Sequence, residues 1–277
     1  MTARSAGRTL WQPVADLFVR WALQTYDYFA LLLRTLGTAV TRPFYLRDMT
    51  QQMDTIGVGS LMIVVLTGLF TGMVLALQSA VEMKQFGATI YIGRLVGAST
   101  VRELGPVLTA LMVTGRAGSG MAAQIGAMKV TEQVDALSTI GVDPVRKLVT
   151  PRFLAAIIMM PMLTMVTDLF AIFGGMLIAV TKLNLSTDLY MRSVYYTLSD
   201  SGFVLRYMPI DVLAGGIIKP VVFGAVMALT GCFYGLRTSG GTEGVGRSTT
   251  RAVVTSSILI LALDYFLTQI IIVLFIE

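Results

Sequence analysis

The longest uncharged stretch of this chain, residues 55–81, limits the folds that it can adopt. A helix of about 20 apolar residues crosses the roughly 30 Å hydrocarbon core of a membrane, so this stretch is long enough to span one. Charged residues make up 13% of the chain, against about 25% in soluble domains. Four further apolar stretches contain one charged residue each: 104–128, 153–181, 212–236 and 252–276. The sequence therefore predicts an all-α polytopic membrane protein with five transmembrane helices.

Residues 1–50 differ from the rest of the chain, because arginines recur among their aromatic and leucine side chains. We interpret them as an N-terminal interfacial amphipathic region and residues 51–277 as the membrane domain. A signal peptide is the competing interpretation, but the short uninterrupted apolar segment and the small-residue cleavage site that it needs are missing.

Lys and Arg are distributed unevenly between the segments that connect the predicted spans. With a cytoplasmic N-terminus, the inner segments carry 13 of these residues and the outer segments 6. The positive-inside rule then predicts a cytoplasmic N-terminus and an outward-facing C-terminus. The inner segments are 1–50, 129–152 and 237–251, and the outer ones are 82–103 and 182–211.

Two of the predicted spans carry stripes of small residues, which let helices approach closely in lipid. The first span has one stripe, so we predict one closely packed face. The second has two stripes on adjacent faces, which predicts a central helix packed on both. The stripes are Gly68/Gly72/Ala76 in the first span, and Gly118/Ala122/Gly126 and Gly115/Ser119/Ala123/Ala127 in the second.

The residue types argue against several kinds of site. The chain has no histidine and one cysteine, Cys232, which counts against disulfides, thiolate zinc sites and histidine catalysis. Residues 241–248 have the spacing of a phosphate-binding loop, but Arg247 stands where lysine is required and no strand precedes it. We interpret this segment as a flexible cytoplasmic turn. The chain is thus predicted to be non-catalytic and without a cofactor of its own, and a lipid-modifying enzyme is the weakest alternative.

Each of the last four predicted spans contains one ionisable residue: Arg116, Asp168, Lys219 or Asp264. A charge at the bilayer centre costs at least about 2.5 kcal/mol, so unpaired charges are hard to accommodate. Interhelical ion pairs or snorkelling side chains explain them as well as a polar cavity does, and snorkelling suits Lys219 best. Asp168 and Asp264 also leave open an ion-coupled secondary transporter.

Arg102 and Glu103 stand just before Pro106, at the outer start of the second span. An acid followed by an early proline is ordinary at a helix N-terminus, where both suit the unpaired amides and the positive end of the dipole. This explains Glu103 but not Arg102. The guanidinium of Arg102 could hold a lipid phosphate at the membrane surface.

The segment after the second span is amphipathic, with Val134, Leu137 and Ile140 at helical spacing among acidic and polar residues. One interpretation is a short helix lying on the membrane. The other is a coupling helix, roughly residues 131–144, that binds a soluble motor protein. The order Asp135, Ala136, Gly141 and Pro151 resembles the loop by which ABC permeases engage their ATPases.

Several motifs together make this sequence similar to the MlaE/YrbE permease family of lipid-transporting ABC systems. The resemblance runs from about residue 50 to the C-terminus, where several distinct motifs follow the family's order. They are RELGP at 102–106, GRAGSGMAAQIGAMK at 115–129, TEQVDAL at 131–137, GVDP at 141–144, TPR at 150–152 and TTRAVVTSS at 249–257.

The resemblance implies a homodimeric permease in a bacterial inner membrane that moves glycerophospholipid between that membrane and a periplasmic tunnel of MCE-domain proteins. Its partners would be a second copy of the chain, a cytoplasmic ATPase dimer that binds ATP and magnesium, an MCE oligomer and sometimes a STAS-domain subunit. Nucleic acid is not expected.

The resemblance also assigns candidate residues. Asp168 is not part of the family pattern, and its pairing, with Arg116 as the candidate partner, is unexplained. Two sets follow from the resemblance. The lipid cavity would contain Arg102, Glu103, Leu75, Lys219 and Asp264. The ATPase-coupling surface would contain Glu132, Asp135, Ala136, Leu137, Gly141 and Asp143.

Overall fold

The computed structural model describes residues 12–41, 45–200, 203–204 and 208–275. Arg4, Arg8 and Arg42 of the predicted interfacial region lie outside them. The described residues are almost entirely helical, apart from two short antiparallel strands, β1 (Phe203–Val204) and β2 (Met208–Pro209). The predicted all-α class is thus confirmed. The α-helices are α1 (Gln12–Val40), α2 (Leu46–Gln85), α3 (Ile92–Ser99), α4 (Gly105–Val113), α5 (Ser119–Val130), α6 (Gln133–Thr139), α7 (Thr150–Leu183), α8 (Thr187–Asp200), α9 (Ile210–Leu213), α10 (Lys219–Leu236) and α11 (Gly241–Phe275), with a 3-10 turn at Thr89–Tyr91.

Five-residue π-helical segments interrupt the long helices at several points. In three cases a proline follows two residues after the segment, at Pro106, Pro151 and Pro220. Proline has no amide hydrogen, and its ring collides with the carbonyl four residues earlier, so a wider turn lets the helix continue past it. As a result α3, α4 and α5 form one helical path. The segments are Thr100–Leu104, Thr114–Gly118, Val145–Val149 and Ala214–Ile218.

Within the described residues, four helices are long and apolar enough to cross a membrane. They contain the first, third and fourth predicted spans and residues 252–273 of the fifth. The second predicted span, 104–128, is helical but is not among the four, because Arg116 and several glycines lower its mean hydropathy. The count of five therefore stays a prediction. The four helices are Leu46–Gln85, Val145–Leu183, Asp211–Leu236 and Gly241–Val273.

The small-residue face of α2 packs directly on α7, as predicted. A Cβ atom on Gly68 would lie 2.5 Å from the carbonyl oxygen of Thr167, and one on Gly72 would collide with that of Ala171. The two backbones touch where a side chain would otherwise separate them. This contact joins the first and third predicted spans.

Of the two stripes on the second predicted span, one is packed within this chain. Gly118, Ala122 and Gly126 are buried, and Gly231 of α10 comes so close that its Cβ would lie 3.0 Å from the carbonyl oxygen of Gly118. The other stripe remains partly or fully exposed, and a Cβ on Gly115 would meet no atom within 4 Å. The predicted close packing is thus observed on one of the two faces.

The segments predicted as outer connectors contain packed helices instead. Helix α3 lies against α8, where Tyr190 is 1% exposed, and a Cβ on Gly93 would lie 2.7 Å from the carbonyl oxygen of Tyr190. Burial raises the pKa of Tyr190, so its hydroxyl stays protonated and donates to the carbonyl of Ile172 at 3.3 Å. These connectors were missed as helices because their charges conceal the apolar side that packs inward.

Helix α1 crosses the opposite end of the molecule and is tied to two other elements. The Tyr28 and Thr230 hydroxyls lie 3.0 Å apart, and those of Thr38 and Thr150 2.7 Å apart. Burial raises the pKa of Tyr28, and the hydrogen bond with Thr230 opposes that rise. Phe29 remains exposed, which suits a helix at a membrane surface.

The turn predicted at residues 241–248 is wrong, because α11 begins at Gly241. Gly240 and Gly241 have φ angles of 89° and 67°, so the sharp turn is completed before the helix starts. An ion pair of 3.4 Å between Arg247 and Glu243, four residues apart, then lies on the first turns of the helix.

Candidate functional site

Lys219 lies at the centre of a charged cluster formed by three helical regions. Its side chain is 2% exposed, and its Nζ lies 2.7 Å from Glu103 Oε2 and 3.0 Å from Asp264 Oδ1. It also donates to the carbonyl oxygen of Arg102 at 2.9 Å. The predicted snorkelling of Lys219 is therefore wrong, since the ammonium is buried and paired.

Local sequence explains why Lys219 reaches the backbone of Arg102. In a regular α-helix that carbonyl would accept from the residue four positions later, which is Pro106 and has no amide hydrogen. The ammonium of Lys219 replaces the missing donor. The π-helical segments that contain Arg102 and precede Lys219, Thr100–Leu104 and Ala214–Ile218, approach each other closely. A Cβ on Gly215 would collide with the carbonyl oxygen of Val101.

Two further residues complete the arrangement, and sequence reasoning missed both. Asp211 is 8% exposed and pairs with Arg102 at 2.8 Å. Thr268 donates to Glu103 Oε1 at 3.1 Å and to the carbonyl oxygen of Asp264 at 2.9 Å. Thr268 follows Asp264 by one turn, a spacing that could have identified it, whereas Asp211 was assigned to a connector.

We call Arg102, Glu103, Asp211, Lys219 and Asp264 the outer cluster, after the side on which the sequence prediction places it. Three carboxylates and two cations give it a formal charge of −1. All members of the cluster except Asp264 line a cavity of about 350 Å³, the outer cavity. The opposite wall is apolar and includes two isoleucines of α11, Ile271 and Ile272.

Four of the five predicted lipid-cavity residues come together in this cluster, and the fifth does not. Leu75 lies on α2 and packs against an apolar group that includes Ala76, Ile92 and Val96. It is not among the residues that line the outer cavity.

The suggested pairing of Arg116 with Asp168 is wrong, because the two side chains have different neighbours. Arg116 Nη1 donates to the carbonyl oxygen of Thr55 at 2.9 Å and to Ser60 Oγ at 3.0 Å. Asp168 is 7% exposed and lies against Gly105, and its Oδ1 has no hydrogen-bond partner among the described residues. Asp264 is held by Lys219 instead, so the structure does not join Asp168 and Asp264 in a relay.

The predicted coupling segment contains a helix shorter than expected. Helix α6 ends at Thr139, because Gly141 has a φ angle of 78° and ends the helix in a left-handed cap. Glu132 precedes the helix, also in a left-handed conformation, with a φ angle of 60°.

The candidate coupling residues form a mostly exposed ridge. Asp135 and Ala136 are exposed and Leu137 is half-buried. Asp135 pairs with Lys129 at 2.7 Å, and Asp143 Oδ1 accepts a hydrogen bond from the amide of Val145 at 3.0 Å. The two acids thus fix both ends of the segment.

The chain is similar to known permeases over most of its length. The family described as Permease MlaE matches residues 49–270. A probable ABC transporter permease protein of Rickettsia felis is 41% identical over 251 residues, which are 91% of this chain and 93% of that protein. The intermembrane phospholipid transport system permease protein MlaE of Haemophilus influenzae is 37% identical over 89% of this chain and 94% of that protein. The chloroplastic protein TRIGALACTOSYLDIACYLGLYCEROL 1 of Arabidopsis thaliana is 33% identical over 91% of this chain and 71% of that protein.

Proposed function

This chain belongs to the MlaE permease family and is a membrane permease subunit of an ABC transporter, and from that premise we propose that it carries glycerophospholipid between a bacterial inner membrane and a periplasmic tunnel of MCE-domain proteins. The printed name of the Haemophilus influenzae relative, a phospholipid transport permease, supports the choice of substrate. Hydrolysis of ATP belongs to a separate subunit.

The outer cavity is the observation that carries this proposal. One wall is the outer cluster and the other is the apolar surface of α11, so the space is polar on one side and apolar on the other. A phospholipid has the same division between head group and acyl chains. Arg102, Glu103 and Lys219 would contact the head group, with Asp211 holding Arg102 in place and Asp264 acting through its ion pair with Lys219. Leu75 would contact acyl chains only in a wider cavity shared with a partner.

The membrane arrangement in this proposal has five spans, with residues 104–128 as the second. The N-terminus is cytoplasmic and the C-terminus periplasmic. Two copies of the chain enclose the lipid path, and the small residues Gly115 and Ser119, which no helix of this chain covers fully, support contact with another helix. A STAS-domain subunit is a further candidate partner.

The ATPase subunits would bind residues 131–144. Asp135 and Ala136 lie on the exposed side of α6, and Gly141 gives the sharp turn behind it. Closure of the ATPase dimer would push on this segment and move α5, which is joined through α4 to the residues of the outer cluster. The outer cavity would then shrink and expel the lipid.

Native mass spectrometry of the assembly, purified from its own membrane in mild detergent, tests the proposal. We expect two permease chains, two ATPase chains, an MCE oligomer and bound phospholipid. A permease that is stable alone or as a homodimer, without any ATPase, would contradict it.

The docking surface is tested separately with the double variant Asp135→Lys and Gly141→Trp. It should lose ATPase binding and lipid transfer, because the acidic contact is inverted and the turn is blocked. The matched control is Asp188→Lys on α8, which is also exposed but lies far from α6 in the chain. Retained ATPase binding in the double variant would show that the docking assignment is wrong.

A further inference from the structure

Arg116 lies on the path formed by α3, α4 and α5, midway between the outer cluster and the end of α5. It is fourteen residues from both Arg102 and Val130, about 21 Å along a helix in each direction. The side chain is exposed, and both of its hydrogen bonds, to Thr55 and Ser60 of α2, use Nη1 alone. A guanidinium has five N–H donors, so Nε and Nη2 remain available to a ligand.

The charge of Arg116 is not balanced by any carboxylate of the described residues. This distinguishes it from Arg102 and Lys219, which are each paired with acids in a cluster of formal charge −1. A cation at membrane depth is costly unless it is compensated. Arg116 therefore gains more from an anionic ligand than the paired cations of the outer cluster do.

A cavity of about 280 Å³, lined by polar as well as apolar side chains, adjoins the guanidinium. We call it the inner cavity; its lining includes Gln52, Thr55, Arg116, Gly120, Ala123 and Gln124. A Cβ on Gly120 would meet no atom within 4 Å, so the space beside the helix is open. Gln52 lies near the start of α2 and Gln124 near the end of α5, which places the cavity at the level of the cytoplasmic leaflet in the proposed orientation.

We propose that the inner cavity is a second lipid site, where Arg116 binds the phosphate of a glycerophospholipid from the cytoplasmic leaflet. This inference rests on the proposed function. The planar fork of arginine matches two phosphate oxygens, and charge-assisted bonds of this kind are about twice as strong as neutral ones. Gln52 and Gln124 supply amide groups for the rest of the head group.

Photocrosslinking in the complete transporter tests this site. A photoreactive amino acid replaces Ala123 in the inner cavity or Ile271 in the outer cavity, in membranes containing head-group-radiolabelled phosphatidylglycerol. We expect labelled adducts at both positions. Arg116→Gln should reduce the adduct at Ala123 by roughly tenfold, the effect of losing one charge-assisted hydrogen-bonded pair. Arg192→Gln, which removes an arginine from an exposed ion pair with Asp188, should leave it unchanged.

The controls separate the failure of this inference from the failure of the proposed function. Adducts at neither position would contradict the proposed function, whereas an adduct at Ala123 that survives Arg116→Gln would overturn the inner site alone. Arg116→Lys keeps the charge and should retain more adduct than Arg116→Gln, so equal loss in both variants would overturn the electrostatic argument. Competition by inorganic phosphate would assign the cavity to a free anion instead. Partner subunits that co-purify with each variant show that it has folded.

Discussion

A single lysine joins three helical regions beside the outer cavity. Lys219, at the start of α10, contacts Glu103 before α4 and Asp264 in α11, and it also satisfies the carbonyl of Arg102. Removing one partner of a buried ion pair leaves uncompensated charge, which is more damaging than removing the whole pair. The stability of the outer cluster therefore depends most on its most buried member.

We expect Lys219→Met to lower the free energy of unfolding by about 3 kcal/mol, because Glu103 and Asp264 are left facing each other. Reversible unfolding in mixed detergent measures the loss. Adding Asp264→Leu to the variant should recover part of it, since one of the unpaired acids is then removed. Arg192→Met, which breaks an exposed ion pair, should change stability by less than about 1 kcal/mol. Equal losses in Lys219→Met and Arg192→Met would mean that the cluster contributes little.

At the scale of elements, the sequence predicted those features that follow from chain-local physics. Uncharged runs must be helical in lipid, so the spans in α2, α7, α10 and α11 could be located. The stripe of Gly68 and Gly72 identified a close helix contact for the same reason. What lay beyond prediction was which helices are neighbours and which way a side chain turns.

The charged residues whose neighbours were predicted wrongly show this limit of sequence-based prediction. The sequence shows that Arg116 and Asp168 lie in neighbouring spans, but Arg116 turns to α2 and Asp168 to Gly105. Lys219 donates to the carbonyl of Arg102, which lies four residues before Pro106 and far from Lys219 in sequence. Its two acids come from other elements, so no local pattern predicts the pairing.

The contact between α2 and α7 gives a direct test of close packing. We expect Gly72→Ala to destabilise the protein by about 1 to 3 kcal/mol, because the new methyl group would collide with the backbone of Ala171. The matched control is Gly37→Ala on α1, where the added Cβ meets no atom within 4 Å. That change should be neutral or stabilise the helix by up to about 1 kcal/mol. A neutral Gly72→Ala would exclude this close approach.

Helix α1 connects the proposed docking segment to the rest of the molecule. Arg34 pairs with Asp143 at 3.5 Å, and Thr38 contacts Thr150 at 2.7 Å. Farther along the helix, Tyr28 bonds Thr230 and Asp27 pairs with Arg237, both near the end of α10. In the proposed mechanism, a displacement of residues 131–144 would reach α10 through these contacts of α1 as well as along α5.

We expect Arg34→Gln combined with Thr38→Val to reduce the lipid transferred per ATP hydrolysed by up to roughly tenfold, since one hydrogen bond of about 1 kcal/mol and an exposed ion pair worth less than that are lost. Reconstituted transporter, assayed for both activities in one sample, measures the ratio. The matched control is Thr67→Val, whose hydroxyl bonds only the carbonyl of Ile63 in its own helix. An unchanged ratio in the double variant would exclude α1 from the coupling path.

At the scale of the whole molecule, the single chain leaves much apolar surface uncovered. In α11, only 11% of an apolar 18-residue stretch is buried inside the chain. In the helix Asp211–Leu236, which contains α10, the corresponding share is 56%. Lipid or another subunit must cover that face, which agrees with a permease that works as part of an assembly. Whether residues 105–130 also cross the membrane decides on which side every later segment lies.

Cysteine labelling with a membrane-impermeant maleimide tests that crossing. Cys232 is the only cysteine and is fully buried, so the background should be low. If residues 105–130 span the membrane, cysteines at Arg47 and Ile140 lie on the same side, because two crossings separate them. We expect both to react only after permeabilisation. A cysteine at Arg192, one crossing further, should react in intact spheroplasts.

Each wrong topology gives a different pattern in this assay. If only the four most apolar helices crossed, Arg47 and Ile140 would lie on opposite sides, whatever the orientation of the chain. An inverted five-span chain would keep those two together but expose them in intact spheroplasts and protect Arg192. All three positions are exposed in the chain, so when it is expressed without its proposed ATPase partner, a failure to label reports the membrane side and not burial. The positions of Arg47 and Ile140 relative to each other therefore test the central helix independently of the positive-inside rule.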